Sequence, residues 1–149
     1  MKIVVIVLAL AIVLALIFAR KSRGPKLALN SKYHAGQSWT FHTPADQPNA
    51  KLTILLVEAH PQLGTIVHIA LSGLSLPNGA SSIQHMPFAE AAIDKSVIDV
   101  TEENVQVPAF QEGYDQWHQA LERGKAGIFS VSVTEGFEVV RQTIEKHSK

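Results

Sequence analysis

K-L-T-I-L-L-V-E-A-H-P-Q-L-G-T-I-V-H-I-A-L, residues 51–71, decides the fold of this chain. Residues 51–58 and 65–71 are rich in the β-branched and aliphatic residues that fit a pleated surface. Between them, His60-Pro61-Gln62-Leu63-Gly64 carries turn chemistry, with Pro to preset φ and Gly to allow a left-handed step. Two strands joined by about five turn residues read as a β-hairpin.

Upstream, residues 37–42 alternate, with Trp39 and Phe41 on one face, so a further strand precedes a Pro-rich loop at residues 44–49. Downstream, residues 73–82 are turn-like, centred on Pro77-Asn78-Gly79. The period then changes. Residues 87–97 suit a helix with Pro87 at its first position. Residues 110–123 form the clearest helix. Phe110, Tyr114, Trp117 and Leu121 recur at helical spacing, and Gly124 follows as a C-capping residue. Residues 128–133 read as a strand. Thr134 then caps a last helix whose apolar face is Phe137, Val140 and Ile144. The order β-β-β-α-α-β-α, strands first and helices after, predicts an α+β domain with a small antiparallel sheet and about three helices over residues 36–149.

Ahead of the domain, residues 3–19 are seventeen unbroken apolar residues. As a helix they reach roughly 26 Å, enough for one pass of a bilayer core of about 30 Å. Residues 1–19 are therefore expected to be a transmembrane anchor. Residues 20–35 are expected to be a basic juxtamembrane linker, interrupted by Gly24-Pro25. A cleaved signal peptide fits less well, because the apolar run is long and ends in Phe18-Ala19-Arg20-Lys21. The chain has no cysteine, which excludes a lipoprotein signal. Arg20, Lys21, Arg23 and Lys26 follow the run and only Lys2 precedes it, so the domain is expected on the cytoplasmic side of the inner membrane.

Net charge is zero, but unevenly spread. Residues 31–149 hold eight Lys/Arg against thirteen Asp/Glu, which leaves −5. Phosphate backbones repel such a domain, so no nucleic-acid partner is expected.

The stretches G-Q-S-W-T-F, H-P-Q-L-G-T-I-V-H-I, H-M-P-F, V-P-A-F-Q-E-G-Y-D-Q-W and G-K-A-G-I-F-S-V-S-V resemble a family of small, uncharacterised bacterial proteins. The resemblance covers about residues 36–145 and implies no activity. Some similar chains begin near the G-Q-x-W stretch, which favours a cytoplasmic domain.

No catalytic or cofactor motif is present: no G-x-S-x-G, no S-x-x-K and no phosphate-cradling glycine loop. The seven histidines show no H-x-x-x-H pair, so no metal is expected, although His60, His68 and His85 could approach one another. Glu102-Glu103 reads as a solvated charge pair. Residues 82–88 (S-I-Q-H-M-P-F) are the best candidate for a functional loop, entering a helix N-terminus. The candidate partner-binding residues are His85, Met86, Phe88 and Glu90 around that loop, His68 on the hairpin, and Tyr114 and Trp117 on the aromatic helix. The reading is a membrane-tethered, non-enzymatic binding module without cofactor, for a protein or small-molecule partner. The alternatives are an enzyme using His68, His85 and Glu90, or a small-barrel module of toxin–antitoxin type.

Overall fold

The computed structural model describes residues 24–148. The expected anchor at residues 1–19 lies outside them, as do basic residues Arg20, Lys21 and Arg23. Among the described residues, no helix is long and apolar enough to cross a membrane.

The domain is α+β. Strands β1 (Ser38–Phe41), β2 (Lys51–His60), β3 (Gly64–Ser72), β4 (Ser82–Ala89) and β5 (Val97–Glu102) form one antiparallel sheet in the order β4-β3-β2-β1-β5. Helices α1 (Glu90–Asp94), α2 (Gln111–Glu122) and α3 (Val133–His147) complete it. The sheet is open, with β4 and β5 as its edges.

The β2–β3 hairpin is tighter than its turn residues suggest. His60 pairs with Gly64, leaving three loop residues. His60 Nδ1 accepts the backbone N–H groups of Gln62 and Leu63, each at 3.2 Å, which holds the loop in shape. At the other end, Gly73 has φ 68°, and a Cβ there would stand 2.3 Å from the Asn49 carbonyl oxygen. Only glycine fits that crossing.

Alternation along the strands divides the side chains between two faces. One face carries Leu52, Ile54, Val67, Ile69, Leu71, Met86 and Phe88, and packs on Ile93 and on Val133 and Phe137 of α3. Fully burying each large side chain there contributes roughly 1.5–3 kcal/mol. The other face carries Leu56 and Ile66, covered by Tyr114 and Trp117 of α2. The helix stripe read from the sequence is therefore a packing stripe.

Four local readings change. Residues 82–89 are strand β4, not a loop entering a helix. Pro87 sits opposite His68 on this edge strand, where a missing N–H is tolerated. The helix expected at 87–97 shrinks to α1, five residues long. Residues 97–102, where only the end of that helix and the solvated Glu102 were expected, form edge strand β5 against β1. The strand expected at 128–133 reduces to one parallel bridge between Phe88 and Phe129.

The cap of the last helix also moves. Ser132, not Thr134, caps α3 through a capping box with Glu135: the Ser132 hydroxyl accepts the Glu135 N–H at 3.2 Å, and the Glu135 carboxylate accepts the Ser132 N–H at 2.9 Å. Thr134 donates instead to the His42 carbonyl.

Part of the segment expected to be a linker packs on the sheet. The Ala59 N–H donates to the Lys26 carbonyl at 2.7 Å, the Ala28 N–H donates to the Val57 carbonyl at 3.1 Å, and Tyr33 is buried beneath Trp39.

Candidate functional site

Beneath α2 lies a line of hydrogen-bonded polar side chains drawn from three strands. Glu58 of β2 and His68 of β3 are both buried within the sheet. Glu58 Oε1 lies 2.8 Å from His68 Nε2, and His68 Nδ1 lies 2.8 Å from His85 Nε2 on β4. The Tyr114 hydroxyl donates to Glu58 Oε2 at 3.1 Å. The His68 and His85 rings are within 17° of parallel, as expected of a bond made nearly in the plane of both.

Aromatic rings enclose the line. Trp117 meets His68 edge-on at 4.9 Å between centroids, and Tyr114 does so at 5.2 Å. The Trp117 indole N–H donates to the Gly127 carbonyl at 2.8 Å, which fixes the ring. Gly113 lets α2 lie close, since a Cβ at that position would be 3.0 Å from the His85 Cβ.

The charges follow from this enclosure. Burial pushes Glu58 upward, but the hydrogen bond and charge of His68, the Tyr114 bond and the charge of His118 outweigh it. The carboxyl group ends below its ordinary value and stays ionised. Burial, then the Glu58 charge and hydrogen bond, push the Tyr114 hydroxyl upward, so it remains a donor. Burial and the neighbouring charge of His68 outweigh the attraction of Glu58 and push His85 down to about 4.

An ionised carboxylate only accepts, so His68 Nε2 carries a proton. When His68 is neutral, its Nδ1 accepts from His85 Nε2–H, and His85 Nδ1 presents a lone pair. No described residue bonds that nitrogen, whereas every fully buried polar side-chain atom among the described residues has a partner. His85 Nδ1 is therefore the open end of the line. A proton arriving there passes from His85 Nε2 to His68 Nδ1. After that transfer His85 is neutral, with Nδ1–H outward. The same nitrogen is an acceptor in one form of the line and a donor in the other.

His85 also makes stability depend on pH. Its folded value is depressed below 6.5, so the unfolded chain binds the proton first as pH falls. Its contribution is complete above about 6.5 and is lost as pH falls towards about 4. Thermal melts at a series of pH values are expected to show a steeper loss of Tm across that window for the native chain than for His85→Gln. Parallel curves would assign the loss to other groups.

The structure gathers four of the seven candidate residues: His68, His85, Tyr114 and Trp117. Met86 and Phe88 point to the opposite face, into the main core, because they alternate with His85 and Pro87 along β4. Glu90 is also apart, and its carboxylate accepts the Ser31 hydroxyl at 2.5 Å. The carboxylate that meets the histidines is Glu58. Its sequence signal is the one carboxylate of an apolar strand that pairs with the strand of His68, one side-chain repeat along from the residue opposite that histidine. His60 stays at the hairpin loop, and among the described residues no three His, Asp or Glu converge on a metal position. Comparison with protein families, with curated proteins and with solved structures returns no match.

Proposed function

We propose that the chain is a membrane-tethered, non-enzymatic binding module whose recognition centre is the open ring nitrogen of His85. The observation that carries this reading is the line from Glu58 through His68 to His85. It fixes the ring tautomers and leaves one nitrogen free for a ligand. Binding at that nitrogen is coupled to protonation, because the line decides whether Nδ1 accepts or donates.

Histidine-¹⁵N spectra of the full chain in lipid nanodiscs test this across about pH 5–8. The expected result is a His85 ring that gains its Nδ1 proton as it gives up its Nε2 proton. A His85 ring doubly protonated in the same range rejects the relay. A second reading rests on the same line: a carboxylate–imidazole–imidazole chain can act as a general base towards water. Hydrolysis of a panel of simple esters, lost in His85→Phe, would move the assignment from binding to catalysis.

The tether is part of the proposal. Residues 20–25 separate the apolar run from the hydrogen-bonded residues 26–28 and span at most roughly 22 Å at full extension. The domain then lies against the membrane surface. Leu27 and Leu29, 57% and 87% exposed, support contact with the lipid interface. Four basic residues after the run support a cytoplasmic domain. A cytoplasm-only fluorescent reporter fused to Lys149 is expected to be bright, and a periplasm-only enzyme fused there silent. The opposite pair of results reverses the orientation.

A further inference from the structure

The sheet face that carries His68 continues beyond α2, where a groove of about 420 Å³ crosses the strands. That is within the usual range for small-ligand pockets, about 300–1,000 Å³. Its floor is made of small residues, among them Ser38, Thr53, Ala70 and Ser72. Val105 and Pro108 line its side.

Among the described residues, the polar side chains that line the groove have no side-chain hydrogen-bond partners. Ser38 is 5% exposed, yet its hydroxyl bonds no described residue. Every fully buried polar side-chain atom among the described residues is paired, so what remains open of Ser38 is this hydroxyl, turned to the groove. The hydroxyls of Thr53, Ser72 and Ser82 and the amide of Gln84 likewise make no side-chain hydrogen bond among the described residues. Burying such groups under a ligand is favourable only if the ligand brings hydrogen-bonding partners for them.

Opposite charges stand on two strands of the groove, Lys51 on the central strand β2 and Glu102 on the edge strand β5. Lys51 and Glu102 both line the groove, and neither forms an ion pair among the described residues. Glu102 pairs with Ser38, Ser38 pairs with Thr53, and Thr53 is two residues from Lys51. Two strand spacings across and one side-chain repeat along place their Cα atoms roughly 12 Å apart. An extended run of three residues spans roughly 10 Å.

We propose that this groove binds a short peptide of about three residues by both of its free termini. Lys51 takes the carboxylate and Glu102 the ammonium. The peptide N–H and C=O groups satisfy the hydroxyls of Ser38 and Thr53, which lie between Lys51 and Glu102. Small peptide side chains pack on Val105 and Pro108. A peptide neutral overall is not repelled by a domain that carries −5.

Isothermal titration of the full chain in nanodiscs with tri-alanine, N-acetyl-tri-alanine and tri-alanine amide tests the site. Free tri-alanine is expected to bind saturably, and each blocked form at least tenfold more weakly. Lys51→Met should weaken the free peptide about tenfold without further weakening the amide. Glu102→Gln should do the same with respect to the acetylated form. Ser38→Ala, a small change in a folded strand, should also weaken binding. Failure of free tri-alanine to bind at millimolar concentration overturns the proposal, and so does equal binding of all three forms. The histidine spectra are read separately, so the peptide site and the His85 reading fail independently.

Discussion

Glu58→Ala is expected to destabilise the domain by about 3–5 kcal/mol, because it orphans two buried donors at roughly 1–3 kcal/mol each. The substitution leaves the His68 Nε2–H, at 2.8 Å from its acceptor, and the Tyr114 hydroxyl, at 3.1 Å, without partners in a water-excluded layer. An orphaned buried donor is costly in proportion to the solvation it has lost. Glu58→Gln keeps one acceptor oxygen but sets an NH₂ group among donors, and should fall between Ala and the native residue. Glu58→Leu combined with His68→Phe removes both members of the buried pair, at the cost of the partners of the Tyr114 hydroxyl and the His85 Nε2–H. It should be more stable than Glu58→Ala alone, because matched apolar replacement of a buried pair is often neutral or better. Urea midpoints at neutral pH decide the ranking. A loss below about 1 kcal/mol for Glu58→Ala would mean that water reaches the pair. If the double variant is stable, the line is not needed for folding, and its presence then points to function.

Trp117→Ala is the second large effect, also about 3–5 kcal/mol. A domain of this kind has only about 5–15 kcal/mol of stability, so the variant should melt far below the native chain. The ring is 9% exposed, packs edge-on against His68 at 4.9 Å and tilted against Tyr114 at 5.6 Å, and is held by the Gly127 carbonyl. Removing it opens a cavity directly over the histidine line. The histidine spectra should therefore change along with stability. Glu112→Ala, on the exposed side of the same helix, serves as the control and should stay within about 0.5 kcal/mol of native. An unchanged Tm for Trp117→Ala would make the ring a surface contact and reject its packing role.

Much of the fold is legible in the sequence where side-chain period speaks for itself. The hairpin of β2 and β3 and the stripe of Phe110, Tyr114, Trp117 and Leu121 were readable because each pattern is carried by neighbours in the chain. Residues 82–89 misled because Pro87 has two uses. Its fixed φ suits both a helix start and an edge strand, and only pairing with β3 selects the second. Residues 97–102 were not legible as a strand because β5 is an edge strand with nearly every residue exposed, so no buried face marks it by alternation. The cap on Ser132 was available as S-x-x-E, one signal stronger than the threonine two residues on.

The sequence by itself determined the apolar run, the charge asymmetry, the α+β composition and the candidacy of His68, His85, Tyr114 and Trp117. Only the tertiary structure decided that Glu58, not Glu90, meets the histidines, and that Met86 and Phe88 belong to the core. It also opened the groove beside them. The physical reason is register. Local sterics fix whether a segment is strand or helix, but which side chains share a face depends on how strands pair. Irregularities in register between Ile54 and Leu56 on β2, and on β4 where it pairs with Ile69 to Leu71, reset that choice. One residue of slip turns a side chain to the other face.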